Sequence, residues 1–139
     1  MASPLTMATT GPVRRTSRDA WSESVRGLGN AGFAWLPALK WRLDKHFKRM
    51  RDEVPHLKRL PSEYIHDHIW VTTQPIEEPS RREDLVEIFE WVGWDRVMFS
   101  TDYPHWDQDD PRYAFRTHVP ETQRRMIMRD NALALYGLA

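Results

Sequence analysis

The chain contains no cysteine. This excludes disulfides and thiolate metal centres, and it is compatible with a cytoplasmic protein. Neither sign of charge is in excess: 20 Lys and Arg stand against 20 Asp and Glu. Such a balance leaves no electrostatic footprint for nucleic acid or for an anionic membrane surface. No apolar run approaches the roughly 20 residues that a membrane-spanning helix needs. The N-terminus lacks the apolar core of a secretory signal, and Arg14, Arg15 and Arg18 among Ser and Thr resemble an organelle transit peptide only weakly. With six glycines in all, the chain has no Walker loop, no Gly-x-Gly-x-x-Gly and no Gly-x-Ser-x-Gly. Phosphate-loop, dinucleotide-binding and serine-hydrolase readings therefore lack support.

What remains is a 139-residue chain of ordinary apolar content, 40%, with seven tryptophans, a size that fits one small domain. Residues 1–28 are Ser, Thr, Pro, Gly and Arg without hydrophobic periodicity, and are expected to form a disordered or unrelated leader. From Trp35 the pattern turns helical. Leu36, Leu39, Leu43, Phe47, Met50 and Val54 recur at three- and four-residue steps, Pro37 suits the first turn and Pro55 is a stop. The basic run Lys45, Lys48, Arg49 and Arg51 reads as a solvated helix face. Pro61-Ser62-Glu63-Tyr64 predicts a short capped turn, and the β-branched and aromatic run Ile69 to Thr73 a strand. Ser80 with Glu83 forms a capping-box pattern for a helix carrying Leu85, Val86, Ile88, Phe89 and Val92, which Gly93 ends. Arg96 to Ser100 predicts a second strand, and a last helix runs from near Pro120 to Gly137. Strands alternating with helices predict a parallel α/β sheet. Two strands make neither a barrel nor an independently stable sheet.

The most informative segment follows the second strand. Asp102 stands where the apolar run Arg96 to Ser100 stops, before a proline turn bearing His105 and Trp106. A carboxylate at the C-terminal tip of a strand is where α/β barrels place metal ligands and catalytic acids or bases. A turn aspartate capping nearby N–H groups has the same local sequence. His105 can carry a proton or donate a hydrogen bond, and Trp106 can wall a substrate pocket or pack as a surface residue. Asp107, Asp109 and Asp110 add carboxylates, but the loop lacks the turn glycine and terminal glutamate of a calcium-binding loop. His66-Asp67-His68 carries a metal-ligand spacing at the opposite end of its strand. Five residues at about 3.3 Å each separate it from Asp102 by roughly 16 Å, too far for a shared metal shell. His46, His56 and His118 have no partners at ligand spacing.

Phe99-Ser100-Thr101-Asp102-Tyr103-Pro104-His105-Trp106-Asp107 resembles the eighth-strand signature of the amidohydrolase-related (amidohydrolase 2) family, whose members include metal-dependent hydrolases and decarboxylases similar to aminocarboxymuconate-semialdehyde decarboxylase. Asn131-Ala132-Leu133-Ala134-Leu135-Tyr136-Gly137-Leu138 resembles the family's terminal helix. Gly32 to Pro37, Arg42-Leu43-Asp44 and Pro61 to Tyr64 resemble the stretch between its sixth and seventh strands. The resemblance implies that residues 29–139 are the C-terminal part of a (β/α)8 TIM barrel holding a divalent metal, often zinc. Asp102 is then a metal ligand and catalytic residue; His105 and Trp106, by their place in the same loop, are the candidate substrate-binding residues. The implied chemistry is hydrolysis or decarboxylation of a small carbonyl or carboxylate substrate. Strands one to six have no counterpart here, and one carboxylate cannot satisfy a zinc ion that needs three or four ligands. The chain alone is therefore expected to be inactive, and either a homo-oligomer or a complementing chain is the expected partner. The rival expectation is a non-catalytic truncated remnant or a partner-dependent structural module.

Overall fold

The computed structural model describes residues 26–28 and 31–138 of the chain. Three short parallel strands lie in the order β1 (Arg26–Leu28), β2 (Ile69–Thr72), β3 (Val97–Met98). Arg26 pairs with Ile69, and Val71 with Val97. Between them run α1 (Trp35–Arg49), α2 (Pro61–His68) and α3 (Asp84–Val92), followed after β3 by α4 (Glu121–Arg125) and α5 (Asn131–Tyr136). A π-helical turn, Met126–Asp130, joins the last two. The result is three successive strand-then-helix units, the repeat expected of a parallel sheet.

The third strand is a correction to the sequence reading. Arg26–Leu28 falls inside the segment expected as a leader, yet it pairs with β2. Only long-range hydrogen bonding makes a strand of Arg-Gly-Leu, because three residues carry no readable alternation. Residues 1–25, the rest of that expected leader, lie outside the described residues.

One face of the sheet is covered. Val71 and Val97, neighbours across β2 and β3, are both 0% exposed. They pack with Phe33, Leu36, Leu85, Phe89, Val92 and Ile127 in one cluster. Phe89 is its aromatic centre, stacked 5.0 Å from Phe33 and in contact with Trp94 and Phe115. Side chains alternate across a strand, so Trp70 and Thr72 face the other side. Trp70 there lies under the Arg96 guanidinium at 4.3 Å.

Several predicted boundaries move. The apolar stripe of α1 is buried at Leu36 and Phe47, but Leu39, Leu43 and Met50 remain partly exposed. The helix ends at Arg49, and a 3-10 turn, Arg51–Glu53, leads to Pro55. The expected capping box at Ser80 and Glu83 does not form, since α3 begins at Asp84 with no side-chain cap. A reciprocal cap forms instead at α2, where the Leu60 N–H donates to the Glu63 carboxylate at 2.7 Å. The predicted turn at Pro61 thus extends into a helix that absorbs His66 and His68.

Candidate functional site

The C-terminal ends of β2 and β3 are laced together. The Thr73 N–H donates to the Met98 carbonyl at 2.9 Å, and the Ser100 N–H donates to Thr73 Oγ1 at 3.3 Å. Thr73 and Gln74 are buried polar residues directly after β2. Gln74 Nε2 donates to the Asp107 carbonyl at 2.7 Å and thereby ties the loop after β3 to the end of β2. The Asp109 N–H donates to the Thr101 carbonyl at 3.0 Å, which closes that loop on itself. Sequence reasoning passed over Thr73 and Gln74. Their one legible signal is polarity at a strand's C-terminal end, where α/β folds build sites.

Asp102 lies in this loop, four residues beyond the end of β3. Its backbone is left-handed, φ +55°, a conformation that aspartate tolerates better than bulkier residues. The side chain is 15% exposed, and its Oδ2 lies 2.8 Å from His105 Nδ1, so the structure brings these two expected site residues into contact. A second bond, from the His105 N–H to the Asp102 carbonyl at 2.9 Å, holds the turn. The hydrogen bond to Asp102, and then its charge, raise the His105 imidazole above its ordinary value. Trp106 is not brought in: it is 95% exposed. Further along, the Arg112 guanidinium and backbone N–H hold the Asp110 carboxyl down at about 2. Burial, then the charge of Glu78, push Asp109 up.

His66 and His68 sit in the last turn of α2, at the other end of the sheet. His66 Nε2 lies 3.5 Å from Asp95, in the 3-10 turn that enters β3, whereas Asp102 follows β3. Two positions apart on a helix, the histidines do not share a face. Asp67 pairs with Arg59 at 2.5 Å.

The donor set decides what can be bound. Asp102 offers a hard oxygen ligand, but among the described residues no group of three or more His, Cys, Asp or Glu is arranged to hold a metal ion. The described residues do not fit a complete metal centre. A cavity of about 150 Å³ lined by Ile76, Glu77, Arg82, Leu85 and Arg116 lies nearby, and none of Asp102, His105 or Trp106 borders it. Among the described residues no helix is long and apolar enough to cross a membrane.

Relatives bear on this geometry. The gamma-resorcylate decarboxylase of Rhodococcus jostii is 32% identical over 114 residues, which cover 80% of this chain and 33% of that protein. The chain thus spans about a third of the length of the curated relatives it matches. A solved amidohydrolase from Mycobacterium avium subsp. paratuberculosis superposes with a TM-score of 0.59 at 28% identity, over 78% of this chain and 26% of that one. A dihydroxybenzoic acid decarboxylase from Polaromonas, solved with bound manganese and the inhibitor 2-nitroresorcinol, is 26% identical with a TM-score of 0.50, over 81% of this chain and 33% of that one. The amidohydrolase family model itself matches residues 29–138. With nearly all of its described strands and helices inside that match, the chain belongs to the amidohydrolase family.

Proposed function

We propose that this chain forms the last three strand–helix units of a metal-dependent decarboxylase barrel acting on a hydroxylated aromatic acid. In this reading Asp102 contributes one carboxylate ligand to a divalent ion whose other ligands lie outside the described residues. The observation that carries it is the placement of Asp102: a mostly buried carboxylate just past the C-terminal end of a parallel strand, beside a histidine. Of the two chemistries the family offers, decarboxylation is favoured because the curated relatives are gamma-resorcylate decarboxylases. As carbon dioxide leaves an aromatic acid, the ring carbon that bore it takes up a proton. His105, held by Asp102 and open to solvent, is placed to carry a proton at that rim. Trp106 becomes a pocket wall only when another surface covers it. Manganese is as compatible as zinc with an oxygen ligand of this kind.

A second reading, a non-catalytic module that depends on a partner, draws on the lack of a three-ligand cluster among the described residues. One chimera separates the two. Residues 26–138 replace the matching third of the Rhodococcus jostii gamma-resorcylate decarboxylase, and release of carbon dioxide from gamma-resorcylate is followed with added Mn²⁺. The decarboxylase reading expects turnover that Asp102→Asn abolishes. A folded chimera without turnover, or one indifferent to Asp102→Asn, refutes it. The unfused chain is expected to carry well under one metal ion per chain by elemental analysis.

A further inference from the structure

Two tryptophans meet on the outer face of α1 and α3, away from the site at the strand ends. Trp41 and Trp91 pack edge to face with ring centroids 5.6 Å apart, yet they remain 57% and 47% exposed. Single exposed apolar residues are ordinary, but adjoining large rings in one patch mark an interaction surface. The patch is also fastened: Lys40 Nζ donates to the Trp91 carbonyl at 3.0 Å and to the Val92 carbonyl at 3.4 Å, tying the last turn of α3 to α1. The helices of an α/β barrel form its outer ring, so this face points outward in the complete barrel as well.

Charge is sorted about the tryptophans. α1 carries Lys40, Arg42, Lys45, Lys48 and Arg49 against a single acid, Asp44, whose Oδ1 accepts the Ser62 N–H. α3 carries Asp84, Glu87 and Glu90 and no base. Both helices lead back from one parallel strand toward the next, so they run in the same direction. Trp41 lies mid-way along α1 and Trp91 at the end of α3, so the second half of α1 extends past α3. At 1.5 Å per residue, Lys45 and Lys48 lie about 6 and 10 Å beyond the tryptophans along α1. Glu87 and the N-cap residue Glu83 lie about 6 and 12 Å to the other side, along α3. All four are exposed, and among the described residues none makes an ion pair.

We infer that this face docks a second copy of the chain, with Trp41 and Trp91 at the centre and Lys45 of each copy against Glu87 of the other. A face with bases on one side of an apolar centre and acids on the other is complementary to itself. A two-fold axis in its plane, through the tryptophans and perpendicular to the line joining the two sides, lays each side on its opposite. A partner of one charge sign would be repelled by one side, whereas a second copy supplies both signs at the same spacing. The inference goes beyond the decarboxylase reading and is independent of any metal or substrate.

Sedimentation velocity of the full chain over a range of concentrations tests it. The parent chain is expected to dimerise reversibly, and less tightly as salt screens the charge pairs. Lys45→Glu and Glu87→Lys each set like charges opposite one another twice, and each is expected to raise the dimer Kd about tenfold or more. Mixed in equal amounts, the two variants are expected to form a heterodimer about as tight as the parent dimer, because every facing pair is then unlike. Trp41→Ala is expected to weaken the parent dimer about tenfold. Should Trp41→Ala fail to fold, the charge variants decide alone, since both positions are exposed and outside the core. A parent chain that stays monomeric overturns the inference, whatever other partner it binds. So does association that ignores both charge reversals, which belongs to another surface, or a mixture no tighter than either variant by itself.

Discussion

Glu77 is the residue whose removal most directly probes how the loops at the strand ends are held. Its Oε1 accepts the N–H groups of Phe33 and Ala34, each at 2.9 Å. These donors open α1, whose N-cap residue, Ala34, has no side-chain acceptor and whose first turn holds no acidic residue. A carboxylate from the loop after β2 therefore caps a helix that begins more than forty residues earlier. Hydrogen bonds to a charged group contribute about 1.5–3 kcal/mol each, and an N-cap about 0.5–2 kcal/mol. Against this, Glu77 Oε2 is buried without a hydrogen-bond partner, which offsets part of the gain. Glu77→Ala is expected to cost about 2–3 kcal/mol, and Glu77→Gln, which keeps an oxygen but loses the charge, about 1 kcal/mol. Gly32 supplies a second arm. Its φ is +62°, and a Cβ there would lie 2.5 Å from Glu77 Oε1. Gly32→Ala in the parent chain therefore combines left-handed strain of about 1–2 kcal/mol with displacement of the cap. In the Glu77→Ala background only the strain remains, so the two substitutions should be strongly non-additive. Urea denaturation followed by tryptophan fluorescence measures all four states. A Glu77→Ala loss below about 0.5 kcal/mol, or the same Gly32→Ala cost in both backgrounds, would show that the carboxylate does not cap α1.

Phe89→Ala, which removes a fully buried ring from contact with Phe33, Trp94 and Phe115, should cost about 3–5 kcal/mol; denaturant midpoints check this, and a loss under 1 kcal/mol would deny Phe89 its place at the centre of the core. Thr73→Val removes the acceptor for the Ser100 N–H and should cost about 1–2 kcal/mol, with a parent-like midpoint counting against the lacing of the two strand ends. For pH, the Asp110 carboxyl is held down at about 2, from an ordinary 3.8, chiefly by the side-chain bond to Arg112. A depressed carboxyl contributes stability that is complete above about 3.8 and lost as pH falls through about 2. Carbon-detected NMR should find the Asp110 titration in that lower range, and Arg112→Ala should return it toward the ordinary value.

How far the sequence could be read depended on the range of the interactions involved. The strand at Ile69 and the helix bearing Leu85, Phe89 and Val92 are local patterns of residue type, and both appear where their periodicity put them. The family was legible because the Asp102 turn and the Asn131 to Leu138 ending lie within single short windows, and residues 29–138 match that family. Three elements escaped. Arg26–Leu28 is a strand only through its partner β2. Ser80 and Glu83 satisfy a capping pattern that the chain leaves unused, because α3 starts later. The cap on α1 comes from Glu77, far along the chain, which no local rule connects to Ala34.

The site divides the same way. Residue order alone set an aspartate after a strand, with a histidine three positions on, because both features are written in consecutive residues. Only the tertiary structure decided that the Asp102 carboxylate meets the His105 ring, that Trp106 stands clear in solvent, and that Gln74 anchors the loop they share. Those outcomes depend on backbone dihedrals and on hydrogen bonds between distant segments, and such contacts exist only once the strands lie side by side.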